Sequence, residues 1–162
     1  MRELVSQALE KRTGSARITY QLGVTLGKLL EPGDVVALIG ELGAGKTQLV
    51  RGICEGAAVP EDQVASPTFA IVAAYQGRIR VYHADLYRIA DYDELYGTGF
   101  LELVGGDGAT LVEWAERIPE AVPADALTIR MAHVDDKPNT RLMRVTGTGD
   151  RHSALLREWL GR

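Results

Sequence analysis

Gly40-Glu41-Leu42-Gly43-Ala44-Gly45-Lys46-Thr47 fits the pattern G-x-x-x-x-G-K-S/T, and each fixed position in it has a physical task. The glycines take backbone angles closed to other residues, so successive N–H groups can turn inward around phosphate oxygens. A helix starting near Lys46 aims the positive end of its dipole at the same anion. Lys46 brings a mobile full charge for the β- and γ-phosphates, and Thr47 brings a hydroxyl for Mg²⁺. The flanks suit this reading. Val35 to Ile39 is a short apolar run rich in β-branched residues, as expected of a strand buried on both faces. A helix from about Lys46 to Glu55 follows, closed by Gly56 and Pro60.

Upstream, Leu22, Leu26, Leu29 and Leu30 recur at helical spacing between Thr19 and Leu30, and Gly23 and Gly27 share one face. That glycine face would let the helix sit close to a neighbour, and Pro32-Gly33-Asp34 stops it. Residues 1–15 are polar and mixed, and read as a short helix or a loose extension preceding a single domain over 16–162. Downstream, Phe69–Tyr75 and Ile79–Ala84 predict a hairpin around Gln76-Gly77-Arg78, and Ala126–Ala132 and Arg141–Thr146 predict a second one. Short helical pieces are expected at Asp91–Tyr96 and Phe100–Val104. Ala109–Glu113 reads as a buried strand, and Ser153 as the cap of a last helix.

A phosphate loop needs a further acid for its metal, usually at the end of a neighbouring buried strand. Glu113 ends one apolar run and Asp85 ends another, so both would arrive beside the loop if their strands lie parallel to its strand. Glu113 is the first choice as metal partner through water, and Asp85 is expected to help with the metal or orient the attacking water. The residues alone leave open which acid does which. Thr68, in Ser66-Pro67-Thr68-Phe69, is either a γ-phosphate or metal contact that moves on hydrolysis or part of an ordinary turn. His83 reads as a hydrogen-bonded strand histidine more readily than as a base or, with Asp85, as a metal pair, and Cys54 reads as a small core residue.

Composition narrows the remaining classes. The chain has 162 residues, 46% of them hydrophobic, with 18 basic and 22 acidic side chains. A net charge of −4 and no dense basic block speak against unaided grip on nucleic acid. Arg78 with Arg80, and Arg141 with Arg144, read as solvated strand edges. One cysteine, no secretory signal and no run approaching the roughly 20 apolar residues of a membrane span point to a cytoplasmic protein.

The phosphate loop, then Ser66-Pro67-Thr68-Phe69, then His83-Ala84-Asp85-Leu86-Tyr87-Arg88, then Leu111-Val112-Glu113-Trp114, together resemble the TsaE (YjeE) family from about Thr19 to Arg144. That resemblance implies a three-layer P-loop α/β sandwich with a mixed sheet and a site for ATP and Mg²⁺. By it, Gly43 to Thr47 would take the phosphates and Thr47 and Glu113 the magnesium. Asp85 would be the essential acid near the γ-phosphate, assisted by Lys46, and Thr68 would belong to a switch-like loop. Thr19 and Arg141 would approach the adenine side. Ala84, Ala70 and Gln48 stand where an aromatic, a threonine and a second threonine are common in the family. The implied role is an accessory ATPase, weak alone, that resets the TsaB–TsaD heterodimer in N6-threonylcarbamoyladenosine (t6A) synthesis at position 37 of tRNA. It would meet tRNA only indirectly. A small-molecule P-loop kinase using Asp85 as base is the main rival, although the chain is short and has no arginine-rich lid segment.

Overall fold

Burial on both faces makes the run at 35–39 the centre of the sheet. In the computed structural model, which describes residues 4–64 and 72–161, this run is strand β2 (Val35–Gly40). It lies parallel to β5 (Ala109–Glu113) on one side and β6 (Leu127–Val134) on the other. Next to β5 comes β4 (Arg80–Asp85), also parallel, followed by β3 (Val72–Gln76) antiparallel at one edge. Beyond β6 come β7 (Lys137–Thr148) and then β1 (Ser6–Thr13), both antiparallel. The seven-stranded order is β1-β7-β6-β2-β5-β4-β3. The four parallel strands, β6, β2, β5 and β4, are contiguous within the sheet, where helices can cover both faces.

One face is covered by α1 (Ala16–Leu29), α2 (Lys46–Gly56) and α5 (Asp150–Leu160). Leu26 of α1, Leu49 and Ile53 of α2, and Leu155 and Trp159 of α5 pack there against Val36, Leu38, Val81 and Leu111. Each large aliphatic group so buried contributes about 1.5–3 kcal/mol. The other face carries a smaller layer, with α3 (Tyr92–Tyr96) and α4 (Phe100–Leu103) placing Leu95 and Phe100 against Ala37, Ala84 and Val112. This is the expected α/β sandwich. Cys54 is fully buried in the first layer, and burial pushes its thiol up to about 12.

The glycine face of α1 finds its neighbour in α2. A Cβ built on Gly23 would lie 2.5 Å from the Leu49 carbonyl oxygen, and one on Gly27 would overlap that of Ile53. In return, Gly52 and Gly56 meet the carbonyls of Tyr20 and Val24. The two helices therefore touch backbone to backbone, closer than side chains would allow.

Several expectations change. Residues 6–13 are neither helix nor loose extension: they pair along their length with β7, from Ser6↔Thr148 to Thr13↔Arg141. Their apolar pattern is too sparse to announce a strand, and β7 supplies the missing partner. Ser153 lies inside α5, whose N-cap is Gly149; its hydroxyl sits 3.0 Å from the Gly147 carbonyl oxygen and 3.2 Å from that of Val5. Arg78 is no free strand edge. Its Nη2 donates to the carbonyls of Gly27 and Leu30 at 3.0 and 2.8 Å, closing the C-terminal end of α1. Helix α1 itself starts earlier than its leucines indicate, with the Ser15 hydroxyl accepting from the Ile18 amide. Among the described residues no helix is long and apolar enough to cross a membrane.

Candidate functional site

The glycine loop links the C-terminal end of β2 to the start of α2. Gly43 and Gly45 have φ of 80° and 103°, the left-handed region that suits residues without Cβ. Gly40 is required for space instead, since a Cβ there would come within 2.6 Å of the Met131 carbonyl oxygen. Gly45 is the N-cap of α2 and offers no side-chain cap. The first-turn amides and the helix dipole are thus free of a covalently tethered acceptor and suited to an outside anion.

Both predicted acids come to this loop. Asp85 and Glu113 are paired in register across the parallel strands β4 and β5, and Glu113 pairs in turn with Leu38 of β2. The two carboxyl-bearing strand ends and the loop surround a cleft of about 350 Å³, lined by Leu42 to Gln48, Asp85, Glu113 and Trp114. Two other clefts of similar volume, about 360 and 320 Å³, lie beside Tyr20 and Arg51 and beside Ile39 and Arg130. Volume does not single out the functional cleft, but the glycine loop, lysine and paired acids do.

Inside the cleft Lys46 donates through Nζ to the Gly40 carbonyl and, at 3.4 Å, to that of Glu41. The ammonium also lies 3.7 Å from the centroid of a Trp114 ring, a cation–π contact. Trp114 reaches this position through a left-handed backbone, φ 56°, immediately after Glu113, and the Tyr87 ring packs against it, tilted by 53° at 4.9 Å between centroids. Burial holds the lysine below its ordinary pKa, while Glu116, Glu113 and Asp85 pull the other way. Thr47 is exposed at the cleft wall. Asp85 Oδ1 accepts from the Tyr87 amide at 2.9 Å, which fixes the carboxylate beside the turn. Glu113 is buried, and its Oε2 lies 2.6 Å from His83 Nε2.

The donor set fits magnesium better than a transition metal. Thr47 and the two acids offer hard oxygens, and among the described residues no group of three or more His, Cys, Asp and Glu could hold a metal by itself. Mg²⁺ at nucleotide sites takes one or two protein oxygens and completes its shell with phosphate and water.

The remaining candidates divide. Arg141 stands beside the loop, its Nη2 donating to the Gly43 carbonyl at 3.3 Å. Thr19 does not line the cleft: it is buried behind the loop, its hydroxyl 2.8 Å from that of Thr13 and 3.3 Å from the Ser15 carbonyl oxygen. Thr68 and its Ser66–Phe69 segment, with Ala70, lie outside the described residues. Tyr87 and Tyr75, which sequence reasoning left without a role, both touch site residues. A signal was available only for Tyr87, which follows Asp85 by two positions.

A family model described as threonylcarbamoyl adenosine biosynthesis protein TsaE matches residues 13–143. Curated relatives carry the name tRNA threonylcarbamoyladenosine biosynthesis protein TsaE. That of Treponema pallidum is 40% identical over 75% of this chain and 90% of its own length. That of Bacillus subtilis is 36% identical over 93% and 92%. The crystal structure of YdiB from Bacillus subtilis superposes with a TM-score of 0.78 at 31% identity, covering 96% of this chain and 95% of that one. With four-fifths of its length matched by one family model and relatives that align over nearly their whole length, the chain belongs to the TsaE family of threonylcarbamoyl adenosine biosynthesis proteins.

Proposed function

We propose that this protein binds ATP with Mg²⁺ at residues 40–47, hydrolyses it, and serves as the ATP-driven accessory of tRNA t6A synthesis by acting on a TsaB–TsaD heterodimer. One observation carries the reading: two strand-end acids, in register with each other, share a cleft with a glycine loop at a helix N-terminus and a buried lysine. The family's place in t6A synthesis supplies the process.

The chain's residues divide the work as follows. The amides of 43–47 and the positive end of α2 hold phosphate oxygens. Lys46 leaves the Gly40 carbonyl and the Trp114 ring to meet the outer phosphates, and gains in doing so, because a fully paired ammonium offsets its burial. Thr47 and Glu113 hold the metal, which when bound neutralises charge on the phosphate oxygens. Asp85, anchored by the Tyr87 amide, orients a water toward the reacting phosphate. Arg141, beside the loop, approaches the side where the rest of the nucleotide leaves it, while buried Thr19 supports the loop from behind. Docking on protein rather than on RNA suits a net charge of −4.

Calorimetric titration with ATP and Mg²⁺, combined with tracking of a labelled γ-phosphate, tests the reading. Lys46→Ala is expected to weaken ATP binding by about 10- to 100-fold, the scale of losing a charge-assisted contact in a dry site. The label should appear as free phosphate, faster when TsaB–TsaD is added. Label on a nucleoside would replace the hydrolase with a kinase, and unchanged turnover at saturating heterodimer would remove the proposed partner.

A further inference from the structure

We propose that His83, backed by Tyr75, is a positioning residue for Glu113. It holds the carboxylate by one oxygen and thereby sets which oxygen, and which direction, is left for the metal. The inference rests on the proposed ATP–Mg²⁺ reading and deepens it.

The three residues form a chain across three adjacent strands. Tyr75 on β3 has its hydroxyl 3.2 Å from His83 Nδ1, and His83 Nε2 on β4 is 2.6 Å from Glu113 Oε2 on β5. All three residues are buried, at 5%, 3% and 7% exposure. In this register Tyr75 is the diagonal neighbour of His83, because Ala73 pairs with His83 and Tyr75 with Val81. His83 pairs with Leu111, so Glu113 is its diagonal neighbour on the other side. The sheet thus places the three side chains on one face in a row that ends at the cleft.

Donor and acceptor chemistry gives the row a direction. A carboxylate only accepts, so His83 Nε2 carries the proton. At Nδ1 the tyrosine hydroxyl can give or take a proton, so either form of the ring serves both neighbours while Nε2–H stays with Glu113. With Nε2 given to Glu113 and Nδ1 to Tyr75, His83 has no lone pair left for a metal or an attacking water. It is therefore neither ligand nor base. It supplies what a buried carboxylate otherwise lacks, a short hydrogen bond from a rigid donor. Oε2 is fixed by that bond, and Oε1 is left to the cleft that Glu113 lines. Such outer partners orient metal-binding groups, and their loss typically costs about 10- to 100-fold in metal affinity or activity.

The test compares His83→Phe, which keeps the ring and removes both hydrogen bonds, with His83→Gln, whose amide nitrogen can stand where Nε2 stood. Nucleotide affinity is measured without metal and then as Mg²⁺ is titrated in. For His83→Phe the Mg²⁺ concentration giving half the effect should rise about tenfold or more, while metal-free ATP affinity stays within about threefold. His83→Gln should recover most of the loss. An unchanged Mg²⁺ response in a folded His83→Phe, or equal losses with and without metal, would overturn the proposal. A second readout needs no nucleotide: long-range ¹H–¹⁵N correlation of the histidine ring in the unsubstituted protein should show the Nε2–H form, and Glu113→Gln should shift that proton upfield. A Nδ1–H form, or a proton indifferent to Glu113→Gln, would defeat the inference even if ATP binds. Absence of ATP binding with the Nε2–H signature intact would instead remove the proposed function and leave the hydrogen-bonded row standing.

Discussion

Helix α2 meets glycine requirements at both its ends. Along its flank, Gly52 and Gly56 face Gly23 and Gly27 of α1, all in ordinary helical conformation, and a Cβ on any of them would run into the partner's backbone. At its start, Gly43 and Gly45 stand in left-handed conformation, and a Cβ on Gly43 would meet nothing nearer than the His133 ring at 3.9 Å. The flank needs glycine for want of space, and Gly43 and Gly45 of the loop need it for the sign of an angle. A clash with backbone cannot be relieved by turning a side chain, so it has to be relieved by moving a helix. A wrong angle in an exposed loop strains only that loop. The seam is therefore a stability element, and the loop is a binding element that tolerates some strain.

The largest effect should come from Gly27→Ala. Separating two helices that touch through their backbones is expected to cost about 3 kcal/mol, at the upper end of overpacking penalties, read as a lowered urea midpoint. Gly14→Ala is the internal control: nothing lies within 4 Å of a Cβ there, and the change should stay within about 0.5 kcal/mol. Equal midpoints for the two variants would mean that the seam is not closed backbone to backbone. Gly45→Ala comes next. Its φ of 103° should cost about 1–2 kcal/mol in an L-residue, but ATP affinity should fall by about tenfold or more, because the amides at 45–47 turn away from the phosphates. A Gly45→Ala protein that bound ATP normally would break the contrast from the other side.

Much of this contrast is legible in the residues. The strand, loop and helix at 35–55 declare themselves because each local preference agrees with the next. Gly23 and Gly27, four apart on a leucine-striped helix, already ask for a close neighbour, although they do not say which helix supplies it. Asp85 and Glu113 are readable as strand ends, since a sheet of parallel strands collects such ends at one rim, but their register with each other is a property of the topology. Other features have no local signal. Segment 6–13 becomes a strand only because β7 extends far enough to pair with it. The Lys46–Trp114 contact depends on a left-handed backbone at a tryptophan, which no propensity foretells. The row from Tyr75 to Glu113 spans 38 positions of sequence and exists only once three strands lie side by side.

Arg78 gives the smallest effect and separates the two ends of α2 most cleanly. It sits in the turn between β3 and β4, beneath the C-terminal ends of both helices of the seam. Its guanidinium donates to Gly27 and Leu30 of the α1 terminus, and its own amide donates to the Ala57 carbonyl at 2.7 Å, just past α2. A cation with charge-assisted bonds at a helix C-terminus stabilises it, and the exposure of this side chain lets water compete. Arg78→Ala is therefore expected to cost about 1–1.5 kcal/mol in the urea midpoint. Arg78→Lys should recover only part of that, because the shorter, freely rotating ammonium lacks the reach and fixed plane that hold Nη2 between the two carbonyls. The 11 residues of α2 put this end roughly 16 Å from the phosphate loop. If the seam carries stability and the loop carries binding, ATP affinity should stay within about threefold in Arg78→Ala. A loss of affinity as large as that of Gly45→Ala would show that strain at one end of α2 reaches the other, and that the two glycine sets act as one device.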